Sequence, residues 1–470
     1  MAFSSLHFLF IFLPVAIIGR LILKAIKNIK AENFFLLILS IVFYAWCGIE
    51  YLVIIFMLAL INYCFSEAVL KVKNRKYNLI CIISLDALVL LICKYFNFFI
   101  NNIENIITCI TGQTYVINVP KIPLPLGISF IVFQLISFEV DNYSGKVQKC
   151  GIAEFLLYIF LFPQVIEGPI VRYQDIEGDM YQRNSTFAED IEGIRRFILG
   201  LAKKVLVADQ LTKVSDTLFE LSATGLPAKY AWIGIVSYAF VIYFDFSGYS
   251  DMAIGLCRYF GFHIRENFDY PYISCSIQEF WRRWHISLST WFRDYIYIPL
   301  GGNRKGAWST YRNLGIVFLL TGIWHGANWT FIIWGIWHGF FMLVERMGFR
   351  KILNRIPKIF GHIYCLIVVL IGWVFFYAND LGSALIYLKC MMGMRTADVQ
   401  LSVLQLFDTR IFVVALFGFI FSMPVVRLAD KKIDYEKSIW IKDFCCILLL
   451  IFSVATILST GVNPSIYTKF

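Results

Sequence analysis

The stretch from Leu314 to Glu345 sets the strongest limit on how this chain can fold, because it is a long apolar run with no acidic or basic side chain before Glu345. As one continuous helix it would be about 48 Å long at 1.5 Å per residue, whereas the hydrocarbon core of a bilayer is about 30 Å thick. The run must therefore break or form two membrane spans. We predict the break at Gly326-Ala327-Asn328, where the residue types favour a turn.

Two Trp-His-Gly triplets lie within this run, at 324–326 and 337–339. An imidazole is costly to hold in hydrocarbon, so a histidine inside a membrane is by default a candidate functional residue. The alternative is a structural histidine bonded to a neighbouring carbonyl. The predicted break puts His325 at a helix end, beside freed backbone groups and Asn328. On a continuous helix His338 would lie about 220° round and about 20 Å along the axis from His325, which makes His338 the weaker catalytic candidate.

The composition indicates that the whole chain is a membrane protein. Its 470 residues are 59% hydrophobic and 17% aromatic, with a mean hydropathy of +0.69, which is more apolar material than a soluble core can bury. The sequence predicts an all-α polytopic membrane protein, one membrane domain over residues 1–470, with about eleven to thirteen spans of about 17 to 25 residues. The candidate spans are 5–23, 33–48, 51–69, 78–100, 122–140, 152–171, 195–219, 228–247, 311–325, 327–344, 359–378, 408–427 and 440–460.

The short loops predict the topology. The loops at 48–50 and 101–120 carry no Lys or Arg, whereas the first and third loops are basic. The basic residues of those two loops are Lys24, Lys27, Lys30, Lys71, Lys73, Arg75 and Lys76. By the positive-inside rule, we expect the amino terminus to lie outside and the basic loops to face the cytoplasm. The first apolar run lacks a preceding basic segment and a following cleavage site, so we expect it to remain as a span.

Charge and cysteine content exclude several other classes. The net charge of +10 follows mostly from the topology, together with attraction to anionic headgroups of the lipid bilayer. Without a basic stripe interleaved with exposed aromatic residues, the chain is not expected to bind nucleic acid. The twelve cysteines are scattered singly apart from Cys445-Cys446, with no C-x-x-C pair and no Cys/His cluster at zinc spacing. We therefore predict small core hydrophobes and no metal site.

Polar residues inside two apolar runs predict cavities or breaks. Asp86 and Lys94 are eight residues apart, or about 80° on a helix, and could face a common polar interior, although Lys94 could also snorkel. Phe162-Pro-Gln and Glu167-Gly-Pro interrupt the run at 152–171. Membranes tolerate the backbone groups freed in this way only where protein or a water-filled cavity satisfies them. A re-entrant or broken segment is therefore predicted there.

Asp245 and Asp251 lie close to the apolar run at 228–247, on either side of Gly248. One interpretation is a helix terminus, with Ser and Asp capping the next helix. The other is a continuous helix that presents Asp245 to a polar cavity. Gly248 leaves the two interpretations open.

The stretch from Glu279 to Asn303 has the highest density of chemically distinctive residues. It predicts an amphipathic helix with an apolar stripe formed by Trp281, Trp284, Leu288, Trp291 and Tyr295. His285 and Ser289 lie four apart on the flank of that stripe, and Arg282 and Arg283 lie on its polar side. A helix rich in Trp and Arg suits a membrane interface, with the arginines either anchoring it or contacting a ligand phosphate.

A buried neutral imidazole can accept a proton from a hydroxyl group as that hydroxyl attacks a carbonyl. Burial disfavours imidazolium and keeps such a base neutral. No Ser-His-Asp set is evident in the sequence, so direct transfer to an acceptor hydroxyl is simpler than a covalent enzyme intermediate.

Taken together, these motifs resemble the membrane-bound O-acyltransferase family, and within it the bacterial alginate O-acetylation branch. The residues that carry the resemblance are Pro125-Leu-Gly-Ile-Ser-Phe, Phe162-Pro-Gln, Gly168-Pro-Ile-Val-Arg-Tyr, Tyr243-Phe-Asp-Phe-Ser-Gly-Tyr-Ser-Asp-Met-Ala-Ile-Gly, Glu266-Asn-Phe-Asp-Tyr-Pro-Tyr-Ile-Ser, Glu279-Phe-Trp-Arg-Arg-Trp-His-Ile-Ser-Leu-Ser-Thr-Trp-Phe-Arg-Asp-Tyr, Leu300-Gly-Gly-Asn-Arg, Trp324-His-Gly-Ala-Asn-Trp and, weakly, Asn463-Pro. The ordered series covers most of residues 1–345. Glu167 departs from it, since a small residue is expected before Gly168-Pro169, and this bears on the acceptor polymer more than on the chemistry.

The resemblance implies a ring of tilted helices around a central tunnel, with re-entrant or interfacial helices, His325 as the essential histidine and His285 as a second active-site residue. It implies transfer of an acyl group, most simply acetyl from acetyl-CoA with no bound cofactor, towards an extracellular or cell-wall polysaccharide. Transfer would be direct or through a secreted or membrane-anchored SGNH-type acyltransferase partner. The remaining predicted substrate-binding residues are Asn328, Trp324, Trp284, Ser289 and Asp245, with Arg282, Arg283 and Arg304 for the phosphates of a carrier.

Two alternatives remain at the level of sequence. The chain also resembles the relative that transfers D-alanine from a carrier protein towards teichoic acid, which genomic neighbours would distinguish. A transporter or flippase would also have broken helices and intramembrane polar groups, but no internal repeat is found in the sequence.

Overall fold

The structure is a computed structural model that describes residues 2–71, 74–120, 122, 124–148, 150–183, 185–397, 408–430 and 435–461. These residues form helices joined by irregular segments, and no strand occurs among them, which confirms the prediction of an all-α chain. Lys73 of the third loop and the Asn463-Pro464 motif lie outside the described residues.

The chain divides into two compact units. Unit 1 comprises Met1, residues 10–185 and residues 260–264, and unit 2 comprises residues 2–9, 186–259 and 265–470. The helices of unit 1 are α1 (Leu13–Ile26), α2 (Ile29–Ala45), α3 (Ile49–Lys71), α4 (Arg75–Thr111), α5 (Ile128–Tyr143), α6 (Ile152–Phe160) and α7 (Tyr173–Tyr181). A π-helical turn, Phe8–Phe12, precedes α1.

Unit 2 contains the two Trp-His-Gly triplets. Its helices are α8 (Phe187–Ala202), α9 (Asp209–Leu221), α10 (Ala228–Tyr259), α11 (Ile277–Arg283), α12 (Ile286–Phe292), α13 (Ala307–His325), α14 (Trp329–Val344), α15 (Arg350–Leu353), α16 (Lys358–Tyr377), α17 (Leu381–Met391), α18 (Thr409–Phe421), α19 (Val425–Asp430) and α20 (Tyr435–Thr460). Short π-helical segments, Lys203–Ala208, Arg293–Tyr297 and Glu345–Phe349, continue α8, α12 and α14, and a 3₁₀ turn lies at Pro271–Ile273.

Six helical stretches among the described residues are long and apolar enough to cross a membrane: Phe8–Ile26, Ile49–Glu67, Arg75–Thr111, Ala228–Tyr259, Lys358–Tyr377 and Ile439–Thr460. The other predicted spans correspond to helices that are shorter, interrupted or more polar. The chain is thus a multi-pass membrane protein, while the total of eleven to thirteen crossings and the central tunnel stay predictions.

In unit 1, the run predicted to be broken at 162–169 is broken. α6 ends at Phe160, and residues 161–172 form a buried irregular segment. Protein groups satisfy its polar backbone and side chains: the Phe162 N–H donates to Ser40 Oγ (3.1 Å), the Tyr158 hydroxyl donates to the Val171 carbonyl (3.0 Å), and Gln164 Nε2 donates to the Tyr158 carbonyl (2.8 Å). This explains how a non-helical segment can be buried in an apolar unit.

In unit 2, α10 runs without interruption through Gly248, so the interpretation of Asp245–Asp251 as a helix terminus is wrong. Gly248 serves helix packing instead: a Cβ at 248 would lie 2.7 Å from the Gly200 carbonyl oxygen of α8. A Cβ at Gly255, two turns further along α10, would lie 2.6 Å from the Gly193 carbonyl oxygen. The glycines thus allow the backbones of α8 and α10 to approach closely.

Candidate active site

The break predicted at Gly326-Ala327-Asn328 is confirmed. α13 ends at His325, α14 begins at Trp329, and Asn328 is the N-cap residue of α14. The Asn328 side chain accepts the Thr330 N–H (3.1 Å) and donates to the Asn379 carbonyl (2.6 Å). Its amide therefore holds the corner between the two helices in place.

Glycines bring α13 and α14 together as an antiparallel pair. A Cβ at Gly322 would lie 2.5 Å from the Phe331 carbonyl oxygen, and a Cβ at Gly335 would lie 2.5 Å from the Phe318 carbonyl oxygen. Because backbone atoms cannot move aside as a flexible side chain can, glycine is required at both positions for this spacing. The close pairing places residues of α14 directly against His325.

His325 is buried, with 4% of its surface exposed, among four aromatic rings. Its ring centroid lies 4.9 Å from Trp324, 4.8 Å from Trp334, 5.1 Å from Phe376 and 6.4 Å from Phe331. These rings come from α13, α14 and α16, so three helices fix the position of the imidazole.

His285 does not lie within a helix, and the prediction of one continuous helix over 281–295 is wrong. α11 ends at Arg283, and α12 begins at Ile286. Between them His285 adopts the left-handed conformation, at φ 43° and ψ 57°. All five residues of the predicted apolar stripe are nevertheless buried, so the stripe belongs to the protein core instead of a membrane interface.

Asn267 accounts for the break at His285. Asn267 Oδ1 accepts the Ser287 N–H (3.2 Å) and the Ser287 hydroxyl (2.9 Å), and it lies 3.1 Å from His285 Nδ1. The Asn267 carbonyl also accepts the Ile286 N–H (2.9 Å), and Asn267 Nδ2 donates to Ser250 Oγ (2.9 Å). A strained backbone conformation of this kind persists where its surroundings fix it, as they do here.

The contacts of Asn267 also define the tautomer of His285. Since Asn267 Oδ1 accepts a backbone N–H, it is the acceptor for His285 Nδ1 as well, which must then carry the proton. In the neutral imidazole, Nε2 holds the lone pair that can accept a proton. Burial lowers the pKa of His285 to about 3, so the ring is neutral at physiological pH.

The structure brings His285 and His325 to the same indole. The Trp324 ring centroid lies 6.2 Å from the His285 ring and 4.9 Å from the His325 ring. Phe246 packs edge-on against His285 at 4.6 Å. The two predicted catalytic residues are thus neighbours of one side chain, although 40 positions separate them in the sequence.

His338 also lies closer to this cluster than its helical phase predicted. Its ring centroid is 5.2 Å from Trp334, which in turn contacts His325 at 4.8 Å. The estimate of about 20 Å assumed a continuous helix, whereas the break turns α14 back along α13. His338 is fully buried and faces Gly372 of α16, where a Cβ would lie 2.6 Å from His338 Nε2.

The other predicted substrate-binding residues have varied surroundings. Trp284 is buried against Trp373 at 4.9 Å. Ser289 Oγ donates to the Trp281 carbonyl (3.1 Å) across the helix break. Asp245 is buried and pairs with Lys204 at 2.7 Å.

The three arginines predicted to bind phosphate differ in exposure and in ion pairing. Arg282 and Arg304 are exposed. Arg283 forms ion pairs with Glu279 at 3.0 Å and with Asp269 at 2.9 Å. Its charge is therefore engaged within the protein.

Sequence reasoning gave no role to several residues that shape the site. Asn267 lies in the motif that begins at Glu266, but the neighbouring sequence gives no sign that its side chain contacts His285. Lys204 pairs with Asp209 as well as Asp245, both at 2.7 Å. Burial disfavours the charge of Lys204, yet the two carboxylates together raise its pKa above the ordinary value. Among the described residues, no group of three or more His, Cys, Asp or Glu side chains could hold a metal ion.

Comparison with known sequences gives the class of this protein. The sequence model of the MBOAT (membrane-bound O-acyltransferase) family matches residues 34–387. The match covers well over half of the chain, so the chain belongs to the MBOAT family and is an O-acyltransferase. This confirms the resemblance found in the motifs.

Particular relatives agree with this class. A protein of Pseudomonas putida named as a probable alginate O-acetylase is 37% identical over 100% of both chains. The peptidoglycan O-acetyltransferase of Helicobacter pylori is 34% identical over 83% of this chain and 80% of its own. The teichoic acid D-alanyltransferase of Bacillus subtilis is 30% identical over 43% of this chain and 53% of its own.

Proposed function

We propose that this protein transfers an acetyl group from acetyl-CoA towards hydroxyl groups of an extracellular or cell-wall polysaccharide, directly or through a secreted or membrane-anchored SGNH-type partner. Two relatives named for O-acetylation align with 83% or more of the chain, whereas the D-alanyltransferase aligns with 43%. The observation that carries the assignment of residues is the packing of His285 and His325 against one indole, Trp324.

His325 is the general base in the proposed reaction. The acceptor hydroxyl oxygen attacks the thioester carbonyl carbon while its proton passes to the imidazole. The C–S bond then breaks, and the thiolate leaving group takes up a proton from the imidazolium. A positioned base contributes about 10²- to 10⁴-fold to such a step.

His285 aids positioning or proton transfer from Nε2, because Asn267 holds the proton on Nδ1. Trp324 and Trp284 form apolar surfaces for the acyl group, and Ser289 and Asp245 complete the polar surroundings. Asn328 maintains the corner that follows His325. Among the arginines, exposed Arg282 and Arg304 suit the phosphates of the donor better than Arg283, whose charge is already paired.

The proposed location is the bacterial plasma membrane, with the amino terminus outside and the basic loops in the cytoplasm. This orientation gives the thioester access from the cytoplasm, where acyl-CoA is made. The acceptor hydroxyl is presented from the other side.

The proposal is tested by incubating purified protein and its partner with acetyl-labelled acetyl-CoA and polysaccharide acceptor. We expect label transfer by the wild type, its loss in His325→Ala and a fall of about 10²-fold or more in His285→Ala. His263→Ala is the matched control, because this exposed histidine lies in unit 1. Wild-type transfer by folded His325→Ala would overturn the assignment of the general base.

The same assay distinguishes the alternatives. D-alanyl transfer towards teichoic acid, favoured by the weaker similarity to D-alanyltransferases, predicts activity with a D-alanyl carrier-protein thioester and none with acetyl-CoA. A transporter or flippase predicts translocation without formation of a new ester from either donor.

A further inference from the structure

A buried polar cluster in unit 1 takes no part in the proposed reaction. Asp86 of α4 is fully buried, and its Oδ1 accepts a hydrogen bond from Asn62 Nδ2 of α3 at 2.8 Å. Glu139 of α5 has 1% of its surface exposed and interacts electrostatically with Asp86. Three packed helices thus bring two carboxyl groups and one amide together.

The cluster contains buried acceptors without donors. Within the part of the chain that the structure describes, Asp86 Oδ2, both carboxyl oxygens of Glu139, and Asn62 Oδ1 have no hydrogen-bond partner. An ionised carboxylate kept from water in this way costs several kcal/mol. Two such charges close together would also repel each other.

The neighbouring cationic side chains of this unit contact residues other than Asp86 and Glu139. Lys94 lies two turns from Asp86 on α4, about 12 Å along the axis, and its Nζ is 3.4 Å from Ser129 Oγ. Lys146 pairs with Asp141 at 3.0 Å. Arg172 pairs with Asp175 at 2.9 Å.

Other titratable groups on the packed helices have their own surroundings. On α6, the Tyr158 hydroxyl donates to backbone carbonyls. Glu67 at the end of α3 is exposed, and Glu154 at the start of α6 is partly exposed. Among all these groups, Asp86 is the charged neighbour that acts on Glu139.

We infer that Asp86 and Glu139 form a proton-binding pair, in which at least one of the two carboxyl groups holds a proton near neutral pH. The bound proton converts one acceptor oxygen into a donor, whose hydrogen bond can satisfy an oxygen of the other carboxyl group or of Asn62. A proton fits the cluster better than a divalent cation, which would take six or more oxygen ligands. The inference is independent of the proposed acyl transfer.

Ionisation of both carboxyl groups at alkaline pH would place two like charges between α3, α4 and α5. Unit 1 should therefore lose stability as the pH rises from neutral to alkaline.

Infrared difference spectroscopy of the full chain in lipid nanodiscs tests the inference directly. At neutral pH we expect the carbonyl stretch of a protonated carboxylic acid, shifted in D₂O and lost at alkaline pH. Glu139→Gln and Asp86→Asn, which keep shape and polarity, should each reduce or shift this band. Glu67→Gln is the matched control, because Glu67 is an exposed residue of α3 outside the cluster, so the substitution should leave the band unchanged.

Thermal unfolding provides the second measurement. The unfolding temperature of the wild type and of Glu67→Gln should fall as the pH rises above neutral, and that of Glu139→Gln should fall less. If Glu139→Gln does not fold, Asp86→Asn is measured alone, and an unchanged band in that variant would overturn the inference. The inference is overturned if the wild type lacks the band, if Glu139→Gln and Asp86→Asn both leave the wild-type spectrum unchanged, or if sodium ions stabilise the wild type and abolish the band, which would indicate a cation site.

Discussion

Gly335→Ala should uncouple the two helices that hold His325. The added Cβ would lie 2.5 Å from the Phe318 carbonyl oxygen and 3.1 Å from the backbone of Gly322, whereas ordinary contact begins at 3.4 Å. The helices must therefore separate by about 0.9 Å. His325 lies on α13 and its neighbour Trp334 on α14, so the separation displaces the imidazole from its aromatic surroundings.

The size of the effect follows from this displacement. Misplacement of a catalytic group by about 1 Å can cost about 10²-fold in rate, and overpacking costs about 1 to 3 kcal/mol of stability. Alanine is favoured over glycine in a helix by up to about 1 kcal/mol, which offsets part of that cost. We therefore expect a large loss of acetyl transfer with a small change in unfolding temperature.

Gly315→Ala is the matched control for this experiment. Gly315 lies on α13, and no atom of the described residues lies within 4 Å of an added Cβ. This variant gains helix propensity without a clash, so it should keep wild-type transfer and unfold at the same or a higher temperature. Equal transfer rates in Gly335→Ala and Gly315→Ala would refute the reasoning that the spacing of α13 and α14 positions His325.

Three further predictions concern the polar groups of unit 2. Asn267→Ala removes the acceptor for His285 Nδ1, and acetyl transfer should fall by about 10²-fold, whereas Asn267→Asp keeps an acceptor and should retain more activity in the same assay. Because burial lowers the pKa of His285 to about 3 while the unfolded chain takes up that proton near pH 6.5, stability is lost as the pH falls through this range. Thermal unfolding between pH 7 and pH 5 measures this loss, and His285→Gln should reduce it. Lys204→Met removes the cation that pairs with Asp245 and Asp209 and should destabilise the protein by about 3 to 5 kcal/mol, and an unchanged denaturation midpoint would contradict this.

The break after His325 could be predicted from the sequence because it depends on features of the stretch itself. The length of the apolar run exceeds the bilayer, and Gly326-Ala327-Asn328 is its one cluster of turn-forming residues. Asn328 then caps α14 through its own side chain, an interaction that spans two residues. The irregular segment after Phe160 was predictable for the same reason, since Pro163 and Pro169 cannot continue a helix.

The break at His285 could not be predicted in this way. Apolar residues at spacings of three and four continue through it, and all of them are buried. What bends the chain is Asn267, which lies 18 residues earlier and bonds to residues 285 to 287 in the folded protein. Likewise, Gly248 suggested a helix end in the sequence, whereas its role depends on Gly200 of another helix.

The stretch from Leu314 to Glu345 positions both catalytic candidates, although only one lies within it. His325 ends α13, and Trp334 of α14 packs against it. At the far end of the same stretch, the buried carboxylate of Glu345 accepts the N–H groups of Ile277 (2.5 Å) and Gln278 (3.0 Å), the first two residues of α11.

A carboxylate at a helix N-terminus satisfies backbone donors that the helix itself cannot, and it interacts favourably with the helix dipole. Glu345 thereby fixes the start of α11, and the helix ends two residues before His285. Because α13 and α14 are held together through glycine contacts, one helical pair sets the position of His325 directly and that of His285 through α11. Both histidines contact Trp324. A displacement of α14 should therefore impair His285 as well as His325.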